Sequence, residues 1–149
     1  MGMLKVLIAE DEGTALAVYK RALDATIIEA RFVENGKDAL KEYSSWKPDI
    51  ILLDIYMPLL TGFSVLKEIR ENICDMSTAI IMVTSLAEKE TVIQCMHFGI
   101  QGYIVKPFEA RGLTGKILEY YKKINPEKAR SARAQREEHK SCKKIHITN

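Results

Sequence analysis

Apolar residues along this chain follow two alternating rhythms. Short continuous runs, KVLIA (5–9), DIILLD (49–54), AIIMVTS (79–85) and QGYIV (101–105), have the length and β-branched content of strands. TIIEARFV (26–33) alternates enough to read as a further strand. Between them, apolar residues recur at helical spacing: Ala15, Leu16, Tyr19 and Leu23; Ala39, Leu40 and Tyr43; Phe63, Leu66 and Ile69. A fourth helix is expected over 87–98, closed by Gly99, and a fifth from near Glu109. Asn35-Gly36 and Thr61-Gly62 punctuate the chain before the second and third helices.

Five strands alternating with five helices predict an α/β fold: a parallel sheet with helices on both faces and right-handed crossovers. Ligand chemistry in such folds gathers beyond the carboxyl ends of the strands, where the strand order reverses. Glu10-Asp11-Glu12 follow the first strand, Asp54 ends the third, Thr84-Ser85 the fourth, and Lys106-Pro107 the fifth. Asp is poorly tolerated in a strand interior, so an oily run ending on Asp54, with Pro58 shortly after, is consistent with a carboxylate aimed into a crevice. A strand-terminal Asp that only meets solvent is the plain alternative. The joint gathering of acids, a hydroxyl and an ammonium favours the crevice. Crowded carboxylates suit a hard cation such as Mg²⁺, which accepts oxygen ligands and phosphate oxygens.

Composition narrows the classes. The 149 residues are 47% hydrophobic and 28% charged, those of an ordinary globular protein. Cys74, Cys95 and Cys142 are odd in number and lack metal-ligand spacing, which points to a reducing, cytoplasmic setting. No apolar run approaches a membrane span, and the acidic cluster begins too early for a signal peptide. Residues 1–120 hold 13 Lys+Arg against 17 Asp+Glu (net −4), and 121–149 hold 9 against 3 (net +6). This shift sets a boundary: a body over 1–122 and a basic tail or linker over 123–149, helical or disordered. The tail's apolar residues are too sparse for a core face, although Ala, Arg, Gln and Glu favour helix. No DNA-reading pattern appears, so nucleic acid is not an expected partner of the body.

AEDE, LLDIYMP, MVTS and YIVKPF, in this order and at these separations, resemble the receiver domain of two-component response regulators. The likeness covers about residues 3–122 and implies the family's fold, α/β: a flavodoxin-like, doubly wound five-stranded parallel sheet in the order 2-1-3-4-5, with five helices. It implies that Asp54 accepts a phosphoryl group from the phosphohistidine of a sensor histidine kinase or phosphotransfer protein. It further implies Mg²⁺ held by Asp11, Asp54 and the backbone carbonyl of Tyr56, with Glu10 completing the acidic pair. Thr84 and Lys106 match the phosphate-sensing hydroxyl and lysine, and Tyr103 the aromatic switch. A cis Lys106-Pro107 bond is common in the family, and the face of helix four, strand five and helix five signals onward or pairs two phosphorylated copies.

Departures from the pattern are specific. Glu10 stands where Asp is more usual, Leu59 and Leu60 where small or polar residues are commoner, and Thr61 where Asp is frequent. The leucines read as a core edge or an exposed docking spot. Tyr56 and Leu86 flank the acceptor and lack a water-activating group, which implies slow loss of phosphate. His97 reads as half-buried, and Trp46 as packing at the end of the second helix. Three other functions compete. A Mg²⁺-dependent aspartyl-phosphate phosphohydrolase generally carries a second Asp two residues after the nucleophile, where this chain has Tyr56. An FMN-binding module needs a phosphate-cradling loop after strand one, where three acids stand instead. A phosphate-independent scaffold would have no need of Asp54, Asp11, Thr84 and Lys106 together.

Overall fold

The computed structural model describes residues 2–85 and 89–147, and the side chains of the latter stretch through Lys144. The strands are β1 (Leu4–Ala9), β2 (Ile28–Val33), β3 (Ile50–Asp54), β4 (Ala79–Thr84) and β5 (Gly102–Val105). They form one parallel sheet, as the alternation of rhythms predicts, in the order β2-β1-β3-β4-β5 that the resemblance implies. The chain leaves β1 first toward β2 and then toward β3, so the order reverses between β1 and β3.

The helices are α1 (Gly13–Ala22), α2 (Gly36–Trp46), α3 (Gly62–Lys67), α4 (Lys89–Phe98), α5 (Leu113–Tyr121) and α6 (Pro126–Ile147). Asn35 and Thr61 cap α2 and α3 by accepting from the backbone N–H groups of Asp38 and Ser64. Successive strand residues turn to opposite faces. Leu4, Val6, Ile8 and Leu52 pack against Tyr19, Leu113, Ile117 and Leu118 on one side. Leu7, Ala9, Ile51 and Leu53 pack with Ala39, Val65, Leu66 and Cys95 on the other.

Three local readings are corrected. There are six helices among the described residues, not five, because the tail from Pro126 is helical and Ala129 and Ala132 are buried in the core. Two small residues one turn apart suffice for that contact, so a count of large apolar residues missed it. α5 starts at Leu113 rather than Glu109, since Gly112 at φ 84 holds a left-handed conformation that helix cannot include. α3 runs on into a π-helical turn, Glu68–Asn72. His97 is exposed rather than half-buried, whereas Trp46 is buried at the end of α2 with Arg31 stacked on its ring. Among the described residues no helix is long and apolar enough to cross a membrane.

Candidate functional site

Register decides which residues meet. Ala9 pairs with Leu53, so Glu10 and Asp54 lie side by side at the carboxyl ends of β1 and β3, where the strand order reverses. Asp54 is opposite Val83 and Thr84 opposite Val105, which brings Thr84 and Lys106 to the same edge. One oxygen each from Glu10, Asp11 and Asp54 lies within 4.8 Å of the others. The loop after β3 is folded tightly under this cleft: Gly62 donates to the Ile55 carbonyl at 2.9 Å, and a Cβ at Gly62 would run into the backbone oxygen of Asp54.

Lys106 is the cation of the site. Its ammonium lies 2.7 Å from Glu10 Oε2, 3.1 Å from Asp54 Oδ2 and 3.5 Å from Glu12 Oε2. Burial disfavours the ammonium, but the contacts with Glu10 and Asp54 outweigh it and raise the Lys106 pKa above its ordinary value. The Glu10 carboxyl is also raised, first by burial and then by the charge of Asp54, against the pull of Lys106. It is chiefly this burial that the one ammonium does not offset. Glu10 is fully buried, and its Oε2 has no hydrogen bond of good geometry although Lys106 stands close. A buried acceptor of this kind, beside two more carboxylates, fits a hard divalent cation with oxygen ligands.

The other predicted residues surround this centre. The Thr84 hydroxyl is buried and donates to the neighbouring Ser85 carbonyl at 3.2 Å, a long bond readily exchanged. Tyr103 is 42% exposed and borders, with Thr84, Val92, Ile93 and Met96, an apolar groove of about 310 Å³. Tyr120 donates its hydroxyl to the Tyr103 carbonyl at 3.1 Å and so ties β5 to α5. The Lys106-Pro107 bond is cis. The Tyr56 side chain is 62% exposed, and Leu86 lies outside the described residues. Leu59 is 77% exposed with φ 68, and Leu60 is half-buried against the core, so the two leucines divide between the two readings.

Two contributors escape sequence reasoning. Tyr19 reads as one of a helical stripe, yet its ring meets Phe108 in a tilted contact at 4.8 Å between centroids, and its phenol is pushed up by burial and then by Glu10 and Asp54, whose field reaches it. Glu12 stands in the acidic run, and only the fold turns its carboxylate to Lys106.

An open parallel sheet with an acidic cleft and a lysine at its reversal point defines a class of doubly wound α/β domain whose ligand crevice lies beyond the carboxyl ends of the strands. Within that class, residues 6–118 match the model of the response regulator receiver domain, and the chain belongs to that family. It is 30% identical over 123 residues to the chemotaxis protein CheY of Pseudomonas aeruginosa, covering 82% of this chain and 99% of that protein. It is 32% identical over 105 residues to the regulatory protein AtoC of Escherichia coli, covering 70% of this chain but only 22% of AtoC. Among solved structures, the chemotaxis response regulator CheY4 of Vibrio cholerae superposes with a TM-score of 0.71 at 27% identity, covering 80% of this chain and 98% of that one. The chain is therefore matched by proteins of about receiver length and by one segment of longer regulators.

Proposed function

We propose that this receiver domain accepts a phosphoryl group on Asp54 from the phosphohistidine of a sensor histidine kinase or phosphotransfer protein, and relays the event through the surface of α4, β5 and α5. The convergence of Glu10, Asp11 and Asp54 on the Lys106 ammonium at the sheet's reversal point carries this reading. An Asp54 carboxylate oxygen attacks phosphorus, the P–N bond breaks, and the imidazole leaves with the electron pair and takes up a proton. Glu10, Asp11, Asp54 and the backbone carbonyl of Tyr56 would hold Mg²⁺, which when bound offsets charge on the transferring phosphoryl oxygens. Lys106 then shifts from carboxylate to phosphoryl oxygen, and the Thr84 hydroxyl exchanges its long bond to Ser85 for the same anion. As Thr84 turns away, Tyr103 swings into the groove beside it and reshapes the α4–β5–α5 face, through which two phosphorylated copies pair.

The reaction alters only the domain itself and turns over no further substrate, so the role is signalling rather than that of an enzyme. A cytoplasmic location and a division into a receiver at 1–122 and an extension at 123–149 belong to the same reading. Its test is the intact mass after acetyl phosphate with Mg²⁺. One phosphoryl adduct is expected on the wild type, absent from Asp54→Ala and absent without Mg²⁺. No adduct on the wild type, including after rapid quenching, overturns the reading.

A further inference from the structure

Glu12 has a fixed place at the site. Its backbone N–H donates to Glu10 Oε1 at 3.0 Å, its Oε1 accepts from the Thr14 hydroxyl at 2.8 Å, and its Oε2 lies 3.5 Å from the Lys106 ammonium. It occupies the N-cap of α1, where a side-chain acceptor ordinarily satisfies first-turn N–H groups, yet it caps none of them. The carboxylate is held instead over the cleft. Among the described residues three carboxylates pair with Lys106, and Glu12 is the outermost, its side chain 59% exposed against 0% for Glu10 and 10% for Asp54.

We propose that Glu12 is a charge gate that selects among phosphoryl donors, an inference that rests on Asp54 being the acceptor. A small anionic donor approaching Asp54 meets a negative charge pinned at the mouth by Thr14 and Lys106. That charge also competes with the incoming phosphoryl oxygens for Lys106. A donor whose phosphoryl arrives beside a basic side chain meets a complementary partner at the same point. The gate therefore favours a protein-borne phosphohistidine flanked by Lys or Arg over free, highly charged phosphodonors. Glu12 is thus a positioning and specificity residue; it touches neither the acceptor carboxylate nor the bond that forms.

The experiment compares initial rates of adduct formation, by intact mass with Mg²⁺, for wild type, Glu12→Gln and Glu12→Asp. The donors are acetyl phosphate and the less charged phosphoramidate. One unit charge at the mouth is worth about a three-fold change in approach rate at high effective dielectric. Glu12→Gln is expected to accelerate acetyl phosphate by about that factor and phosphoramidate by less, with the difference narrowing as salt screens the mouth. Glu12→Asp, which keeps the charge, is expected to retain the wild-type preference between donors. Equal rates for wild type and Glu12→Gln, equal acceleration with both donors, or slowing would overturn the gate while leaving Asp54 as acceptor. A wild type that gains no mass from either donor would overturn the acceptor reading, and the gate with it.

Discussion

The ammonium of Lys106 and the carboxylate of Asp54 stand 3.1 Å apart, an ion pair that joins the loop after β5 to the end of β3 across the intervening β4. Lys106 therefore occupies the carboxylates that a divalent cation would need. Cation and ammonium compete for the same oxygens, and removing the ammonium favours the metal. Lys106→Met is expected to bind Mg²⁺ about ten-fold more tightly than wild type, on the scale of one partly screened charge contact. Titration calorimetry reads the change directly. Weaker Mg²⁺ binding in the variant would mean that Lys106 assists rather than opposes the cation.

Tyr56 stands two residues beyond Asp54, the proposed acceptor, with its ring largely at the surface and no carboxylate or amide to orient a water. Hydrolysis of an acyl phosphate needs a positioned water, and a phenol at this position supplies neither carboxylate nor amide to orient one. The phosphorylated wild type is expected to persist for minutes or longer. Tyr56→Gln, which supplies an amide able to orient water, is expected to shorten that lifetime about ten-fold, within the range of a single positioned proton-handling group. Time courses of the intact adduct check both. A wild-type half-life of seconds would remove the basis for this expectation.

How much of this was legible beforehand follows from how local each signal is. The strands β3 and β4 are continuous apolar runs buried on both faces, and Asn35 and Thr61 announce their helices by side-chain capping, so composition within a few residues sufficed. The gathering of Glu10 and Asp54 in one crevice followed from parallel topology, and their adjacency from the strand order that the resemblance implies, which sets β1 beside β3. Arg70 was invisible: buried, it donates to the carbonyls of Gly99, Asp75 and Thr78 and to the side chain of Gln101, partners up to 31 residues away. The same holds for α6, whose burial rests on Ala129 and Ala132 and on Lys128, Arg133 and Arg136 reaching Asp49, Glu119 and Asp24. Charges read along the tail as a solvated run become, in three dimensions, partners for acids on the body.

That arrangement makes α6 part of the fold's stability. Arg133 meets Glu119, and further along α6 Arg136 passes Gly115, so the helix runs back antiparallel along α5. Ala132→Glu would force a carboxylate into a buried contact and is expected to lower unfolding stability by about 3 kcal/mol. Arg133→Ala, whose pair with Glu119 is exposed on both sides, is expected to change it by less than about 0.5 kcal/mol. Urea unfolding distinguishes the two. An Ala132→Glu variant as stable as wild type would show that α6 is not docked in solution, and Asp54 would still be expected to gain its phosphoryl group.

The end of the sheet remote from Asp54 carries its own pH dependence. Asp75 accepts from the Tyr43 hydroxyl at 2.6 Å, from Ser77 through backbone and hydroxyl, and from Thr78 through both as well. Burial alone would push its carboxyl up, but the bonds from Thr78, Tyr43 and Ser77 hold it well below the usual carboxylate range. Because the folded-state pKa is depressed, the unfolded chain binds more protons in the interval between the two values. The stabilisation is present in full above the ordinary carboxylate range and is lost as pH falls through it toward the depressed value. Tyr43→Phe removes one donor and is expected to lower stability by about 1 kcal/mol at neutral pH. Asp75→Asn removes the titrating group, so its deficit relative to wild type should shrink as unfolding is measured at progressively lower pH. A deficit that stays constant from neutral to acid pH would mean that Asp75 titrates alike in the folded and unfolded chain, and that its five hydrogen bonds do not favour the ionised form.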